Sequence, residues 1–193
     1  MHLVRHPLPG SDRRGDVVNG HLPAPTVRII VCGNADRGDD GVALATVATL
    51  LPTLPPDLQT ELEVRRCLEL HVEDLVDLPH GVECVILDAV AGPEPGEIVR
   101  LTLQELTERP TFTPRSSHEL PIHLVVALAG IVRDEPVAGA FIGLAGHRFG
   151  YGTPLSRVVR AAIPAYREAI ASELRCLAAA HGAATSPAAE VEA

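Results

Sequence analysis

The chain has no lysine and no tryptophan. Its 16 basic residues are all arginine, set against 25 acidic ones, for a formal charge of −9. Phosphate backbones and anionic lipid surfaces are bound by clustered positive charge, so neither a nucleic acid nor a membrane surface suits this chain. Aromatic residues make up only 3%, which leaves Val, Leu, Ile and Ala to build the core. The four cysteines, Cys32, Cys67, Cys84 and Cys176, form no CxxC pair. They read as buried thiols in a reducing cytosol, not as a zinc knuckle. Long apolar runs are also missing. The longest, Ile122 to Val132, is too short to cross a bilayer and contains Gly130. Residues 1–25 lack the apolar centre of a signal peptide, so the expected location is the cytoplasm.

At 193 residues and 46% apolar content, the chain has the size and composition of one globular domain. Residues 1–25 mix Pro, Gly, His and charges without periodicity and read as a flexible arm; residues 182–193 read as a flexible tail. Between them, residues 26–181 alternate strand-like and helix-like patterns. Val27–Cys32, Leu62–Leu68, Val82–Val90, Glu97–Leu103 and Val137–Leu144 read as strands. Helices are expected from Asp39 through Leu51, over His71–Leu78, over Ile122–Val132 (buried), and over Leu155–Ala180, where Pro164 should bend or interrupt the helix. The pattern predicts a single α/β domain: a mostly parallel, twisted sheet of about five strands with helices on both faces. Ligands of such sheets bind beyond the carboxyl ends of the strands.

Three segments place polar groups there. Gly33-Asn34-Ala35-Asp36-Arg37-Gly38-Asp39-Asp40-Gly41 follows the first strand; its glycines permit a tight turn, and an N-cap would account for Asp39 but not also for Asp40. Asp88 closes the apolar run Val85-Ile86-Leu87, where a carboxylate needs a partner or a hydrogen bond. In Ser116-Ser117-His118-Glu119, Ser116 and Glu119 have capping-box spacing, although Pro121 could instead mark the first helical turn. Each segment alone has a structural explanation. Together, two carboxylates and an imidazole make a donor set for zinc or nickel with a position left open. No HExxH helix is present. No GxSxG elbow supports a hydrolase built on Ser117 and His118.

The loop GNADRGDDGV resembles the GN-x4-D-[DE]-G signature of nickel–iron hydrogenase maturation proteases. ILDAV and SSHEL resemble that family's second carboxylate segment and its histidine segment. FIGLAG followed by Pro154-Leu155-Ser156-Arg157-Val158-Val159-Arg160-Ala161-Ala162-Ile163-Pro164 is similar to its last strand and following helix start. The resemblance spans roughly residues 27–178. It implies an endopeptidase that recognises nickel already installed in a hydrogenase large-subunit precursor and removes a C-terminal extension. It implies that Asp40, Asp88 and His118 contact the metal, with Gly33, Asn34, Asp39 and Gly41 binding substrate or supporting the loop. Nickel would then come with the precursor and not be a resident cofactor. The resemblance assigns no catalytic nucleophile. Two features depart from the pattern. Asp40 stands where the family often has Glu, and Ala145–Gly152 replaces a Glu-Pro type segment, offering His147 as an extra polar contact. Two other readings are a non-catalytic, nickel-dependent precursor-binding module and a Mg-dependent phosphoryl-transfer domain. The missing lysine weighs against the second, and no phosphate-binding GxxxxGK[ST] loop occurs.

Overall fold

A computed structural model describes residues 25–92, 94–108 and 120–185. In chain order the elements are β1 (Val27–Cys32), a 3-10 turn (Gly38–Gly41), α1 (Val42–Leu50), a second 3-10 turn (Leu51–Thr53), α2 (Pro56–Thr60) and β2 (Leu62–Cys67). Then follow α3 (Val72–Val76), β3 (Glu83–Ala91), β4 (Ile98–Thr102), α4 (Leu103–Glu108), α5 (Ile122–Arg133), β5 (Gly139–Gly146) and α6 (Arg157–Thr185).

The five strands form one sheet in the order β2-β1-β3-β5-β4. All neighbours are parallel except β4, which runs antiparallel to β5 at the edge. Sequence explains the placement. VRIIVC and the apolar stretch of ECVILDAVA are nearly continuous, as central strands covered on both faces must be. LEVRRC and IVRLT carry charges into the strand and stand at the edges, where charge discourages further pairing.

Strand alternation sends Val27, Ile29, Val31, Val85, Leu87 and Ala89 to the face covered by α1 and α6. There Tyr166 is fully buried and its hydroxyl donates to the Ile142 carbonyl at 2.9 Å. Ile30, Cys32, Cys84, Ile86 and Val90 point to the other face, against α3, α4 and α5. Arg28 also points there. It is buried because it bonds Glu63 and Asp77, which Arg65 bonds in turn.

Several expectations need correction. Asp88 closes the apolar run but not the pairing, since β3 and β5 stay paired from Asp88↔Gly143 to Ala91↔Gly146, one residue past the expected Val90. The Ile122–Val132 helix is buried along one face only, through Val125, Val126 and Ala129; Leu124, Leu128, Ile131 and Val132 are exposed. α6 runs through Pro164 without ending, held by Val159, Tyr166, Ile170 and Leu174 on the sheet. The short α2 and α4 stand where no helix was expected, and Leu103, expected to end a strand, opens α4; Leu58, Leu103 and Leu106 are buried. The expected arm, apart from residue 25, and residues 186–193 of the tail lie outside the described residues.

Candidate active site

From β1 the chain crosses to β2 on one side of the sheet, and β3 lies on β1's other side. The carboxyl ends of β1 and β3 therefore flank the topological switch point, where open α/β sheets form their binding crevice. The 3-10 turn Gly38–Gly41 sits at this point and packs against β3. It carries both acidic residues of the first segment, and both are buried.

The two neighbours have different jobs. Asp39 is not an N-cap: neither the turn nor α1 has a side-chain cap. Its carboxylate reaches across to the β5–α6 connection. Oδ2 accepts the backbone N–H groups of His147 and Arg148, each at 2.9 Å, and Oδ1 accepts that of Ser156 at 2.5 Å. The Asp39 N–H returns a bond to the Arg148 carbonyl at 2.8 Å. Gly146 lets this carboxylate approach, since a Cβ there would stand 3.1 Å from the Asp39 Cβ and 2.6 Å from the Phe149 ring. Burial alone would raise the Asp39 pKa, but the N–H groups of Ser156, His147 and Arg148 outweigh it and hold the carboxyl below its ordinary value. Ser156 also caps α6, its hydroxyl accepting the Val159 N–H at 3.3 Å. Asp39 thus ties the first loop to the end of β5 and the start of α6.

Asp40 turns inward on its own loop. Its Oδ2 accepts the Asn34 N–H at 2.9 Å, while Asn34 Oδ1 accepts the Asp36 N–H at 2.9 Å. Gly33 is required here. Its φ is +125°, and a Cβ would fall 2.1 Å from the Asp40 carbonyl oxygen. Gly41 packs its Cα against Ala35. The four supporting positions expected from the sequence, Gly33, Asn34, Asp39 and Gly41, thus form one interlocked loop.

Asp88 lies one residue past the last β1–β3 pair, Val31↔Leu87, and so is level with Cys32. Alternation with Ile86 and Val90 puts it on the α5 face. It is half-buried, and its Oδ1 accepts the Ala89 N–H at 2.7 Å. His118, the third expected metal contact, lies outside the described residues, as do Ser116, Ser117 and Glu119. Pro121 is the N-cap of α5, so the helix begins after the histidine segment. Among the described residues no three His, Cys, Asp or Glu side chains cluster as a metal site. His147, expected as a polar side-chain contact, exposes its ring and contributes its backbone N–H to Asp39 instead.

Sequence reasoning gave Ser156 no role at this site. The signal was its place in the Leu-Ser motif ahead of α6, which has the form of an N-cap. Arg37 was likewise unassigned; its guanidinium lies 5.1 Å from the centre of the Tyr151 ring.

No described helix is long and apolar enough to cross a membrane. No curated protein matches the sequence. Similar solved structures include the hydrogenase maturating endopeptidase HybD from E. coli, with a TM-score of 0.63 and 21% identity over 77% of this chain and 91% of that one. A NiFe hydrogenase maturation protease HybD from Thermococcus kodakarensis has a TM-score of 0.55 and 24% identity over 76% of this chain and 97% of that one. An endopeptidase from Escherichia coli, solved in solution, has a TM-score of 0.58 and 22% identity over 77% and 92%. At these identities the likeness carries the fold. The family assignment comes from the sequence: the model for HycI, the hydrogenase maturation protease, matches residues 72–173, from α3 into α6 and more than half of the chain. This chain belongs to the hydrogenase maturation protease family and is a peptidase.

Proposed function

We propose that this endopeptidase removes the C-terminal extension of a nickel-loaded hydrogenase large-subunit precursor, and that Asp40, Asp88 and His118 read the nickel. The observation that most supports this is the fixing of the Asp40 carboxylate by the Asn34 N–H, at the same end of the sheet as Asp88. Carboxylate oxygens and an imidazole nitrogen suit nickel. A negatively charged crevice attracts a divalent cation, and an ion held mainly by the precursor's own ligands can still accept a few more donors. Nickel is then part of the substrate. The site would test whether the metal is present before the tail is cut, and Asp39 would serve this indirectly by holding the loop that carries Asp40.

The test is to incubate the protein with nickel-loaded and nickel-free precursor and follow intact mass. A shortened large subunit and a released peptide are expected only with nickel. Equal cleavage of both precursors would end the nickel-reading role, and an intact nickel-loaded precursor would end the processing role.

A further inference from the structure

β1 and β2 are parallel, and their last registered pair is Cys32↔Cys67. The two Sγ atoms are 3.2 Å apart. Neighbouring strands lie roughly 4.8 Å apart, within the Cα spacing of about 4.4–6.8 Å that a disulfide spans. The pair is asymmetric. Cys32 is buried, whereas Cys67 is half-buried on the edge strand beside Leu68, which is 74% exposed. Cys67 is thus the more open of the two, with Cys32 behind it in the core. The remaining cysteines differ: burial pushes the Cys84 thiol up to about 12, and Cys176 is exposed on α6.

We propose that Cys32 and Cys67 form a reversible disulfide that bolts the base of the loop carrying Asp40. The oxidant is hydrogen peroxide. The Cys67 thiolate attacks one peroxide oxygen, the O–O bond breaks, and Cys67 becomes a sulfenic acid as hydroxide leaves and is protonated to water. The Cys32 sulfur then attacks the Cys67 sulfur. The S–O bond breaks, the S–S bond forms, and the leaving hydroxide takes the Cys32 proton as a second water. Two thiols are oxidised by two electrons and one peroxide is reduced; an added dithiol reverses the change.

The pair is coupled to the loop through the backbone. Cys32 leads directly into Gly33, whose N–H donates to the Cys67 carbonyl at 3.1 Å. The Gly33 Cα lies against the Asp40 carbonyl, and the Asn34 N–H holds Asp40 Oδ2. Bond formation draws the sulfurs from 3.2 Å to about 2.05 Å, so the end of β1 is pinned to β2 just where the loop starts. The effect on processing rests on the proposed function; the disulfide itself does not.

The experiment uses the full chain carrying Cys176→Ser. After hydrogen peroxide, alkylation of the unfolded protein should modify one thiol, that of Cys84. Trypsin should release Ile29–Arg37 joined to Cys67–Arg100, with fragmentation placing the bond at Cys67 and dithiothreitol reversing it. Cys67→Ser should give no joined peptide. Over-oxidation of Cys67 with Cys32 still open to alkylation would overturn the disulfide. The bolt is read by amide hydrogen exchange over Gly33–Asp40, expected to slow by about tenfold on oxidation; unchanged exchange in the bonded protein would overturn it. Oxidation should also slow precursor processing by roughly tenfold or more, as small displacements of site groups do, with Cys67→Ser unaffected by peroxide. If the reduced chain fails to process any precursor, the proteolytic reading fails alone, since mass and exchange still decide the disulfide and the bolt.

Discussion

The two faces of the sheet are built to different standards. On one, the 29-residue α6 and the nine-residue α1 cover the strands, and Tyr166, Ile170 and Leu174 are completely buried. On the other lie helices of five, six and 12 residues, and the longest leaves an apolar stripe in solvent. Asp88 and the Cys32–Cys67 pair belong to this second face. The Asp39 knot joins the first loop to the start of α6, on the well-packed side. Under the proposed function the contrast separates labour: one side fixes the loop through Asp39, and the other carries Asp88. Adjacent Asp39 and Asp40 repeat the division within a single turn.

The sharpest way to break this comparison is to remove the groups proposed to read nickel. Asp40→Asn, Asp88→Asn and His118→Ala should each lower processing of nickel-loaded precursor by roughly 10³-fold, the scale on which removing a preorganised site group acts. The two asparagine variants should keep their unfolding free energy within about 1 kcal/mol, because asparagine preserves an acceptor for the Asn34 or Ala89 N–H. Rates followed by intact mass, beside urea unfolding, decide it. A variant that is active, or inactive only because it has unfolded, would refute the assignment of that residue.

Asp39→Ala should do the reverse, acting through stability. It leaves the N–H groups of His147, Arg148 and Ser156 without their acceptor. A loss of about 3–5 kcal/mol is expected, less than three separate penalties because the loop can relax toward water. The same residue shapes the response to acid. Burial raises Asp39, Glu63 and Asp77, but backbone N–H groups for the first and arginines for the others bring all three below their ordinary values. Carboxyls depressed in the folded state stabilise it above their unfolded values, 3.8 for Asp and 4.5 for Glu, and that stabilisation is lost as pH falls through the lower folded values. Glu83 opposes them. Burial and then Glu173 raise it, His181 lowers it less, and its protonation on acidification favours the fold. Glu135 is lowered as well, by its bonds to His80 and then Arg133, and four depressed carboxyls against one raised predict falling stability below about pH 4.5. In Asp39→Asn, unfolding free energies from pH 7 to pH 3 should fall less steeply; an unchanged acid limb would show that Asp39 is not a major contributor.

Much of this was legible in the sequence because period and polarity fixed it locally. Short, largely apolar runs marked β1 and β3 as strands, while the strand order came only from the pairing. The glycines and paired carboxylates after β1 marked a loop under constraint. What stayed hidden depended on distance in the chain. Asp39 looked like a helix cap because capping is the local use of such a residue, whereas its partners lie 108, 109 and 117 residues away. Asp88 closes the apolar run, yet pairing with β5 carries the strand onward to Ala91. Cys32 and Cys67 read as separate thiols, since only the parallel register brings them together.

The smallest predicted effect concerns α5, whose apolar sequence suggested burial on all sides. Leu124 and Leu128 are 42% and 41% exposed, and Ile131 and Val132 are 75% and 63% exposed. These residues recur at helical spacing and form one stripe beside the buried Val125, Val126 and Ala129. Removing a side chain already in water forfeits little burial, so Ile131→Gln should change unfolding free energy by less than about 0.5 kcal/mol. Val126→Ala, from the buried side of the same helix, should cost about 1–3 kcal/mol. Urea unfolding of the two variants side by side tests whether this face is built as described. If Ile131→Gln costs as much as Val126→Ala, then residues outside the described set cover the stripe, and the contrast between the two faces narrows to the length of their helices.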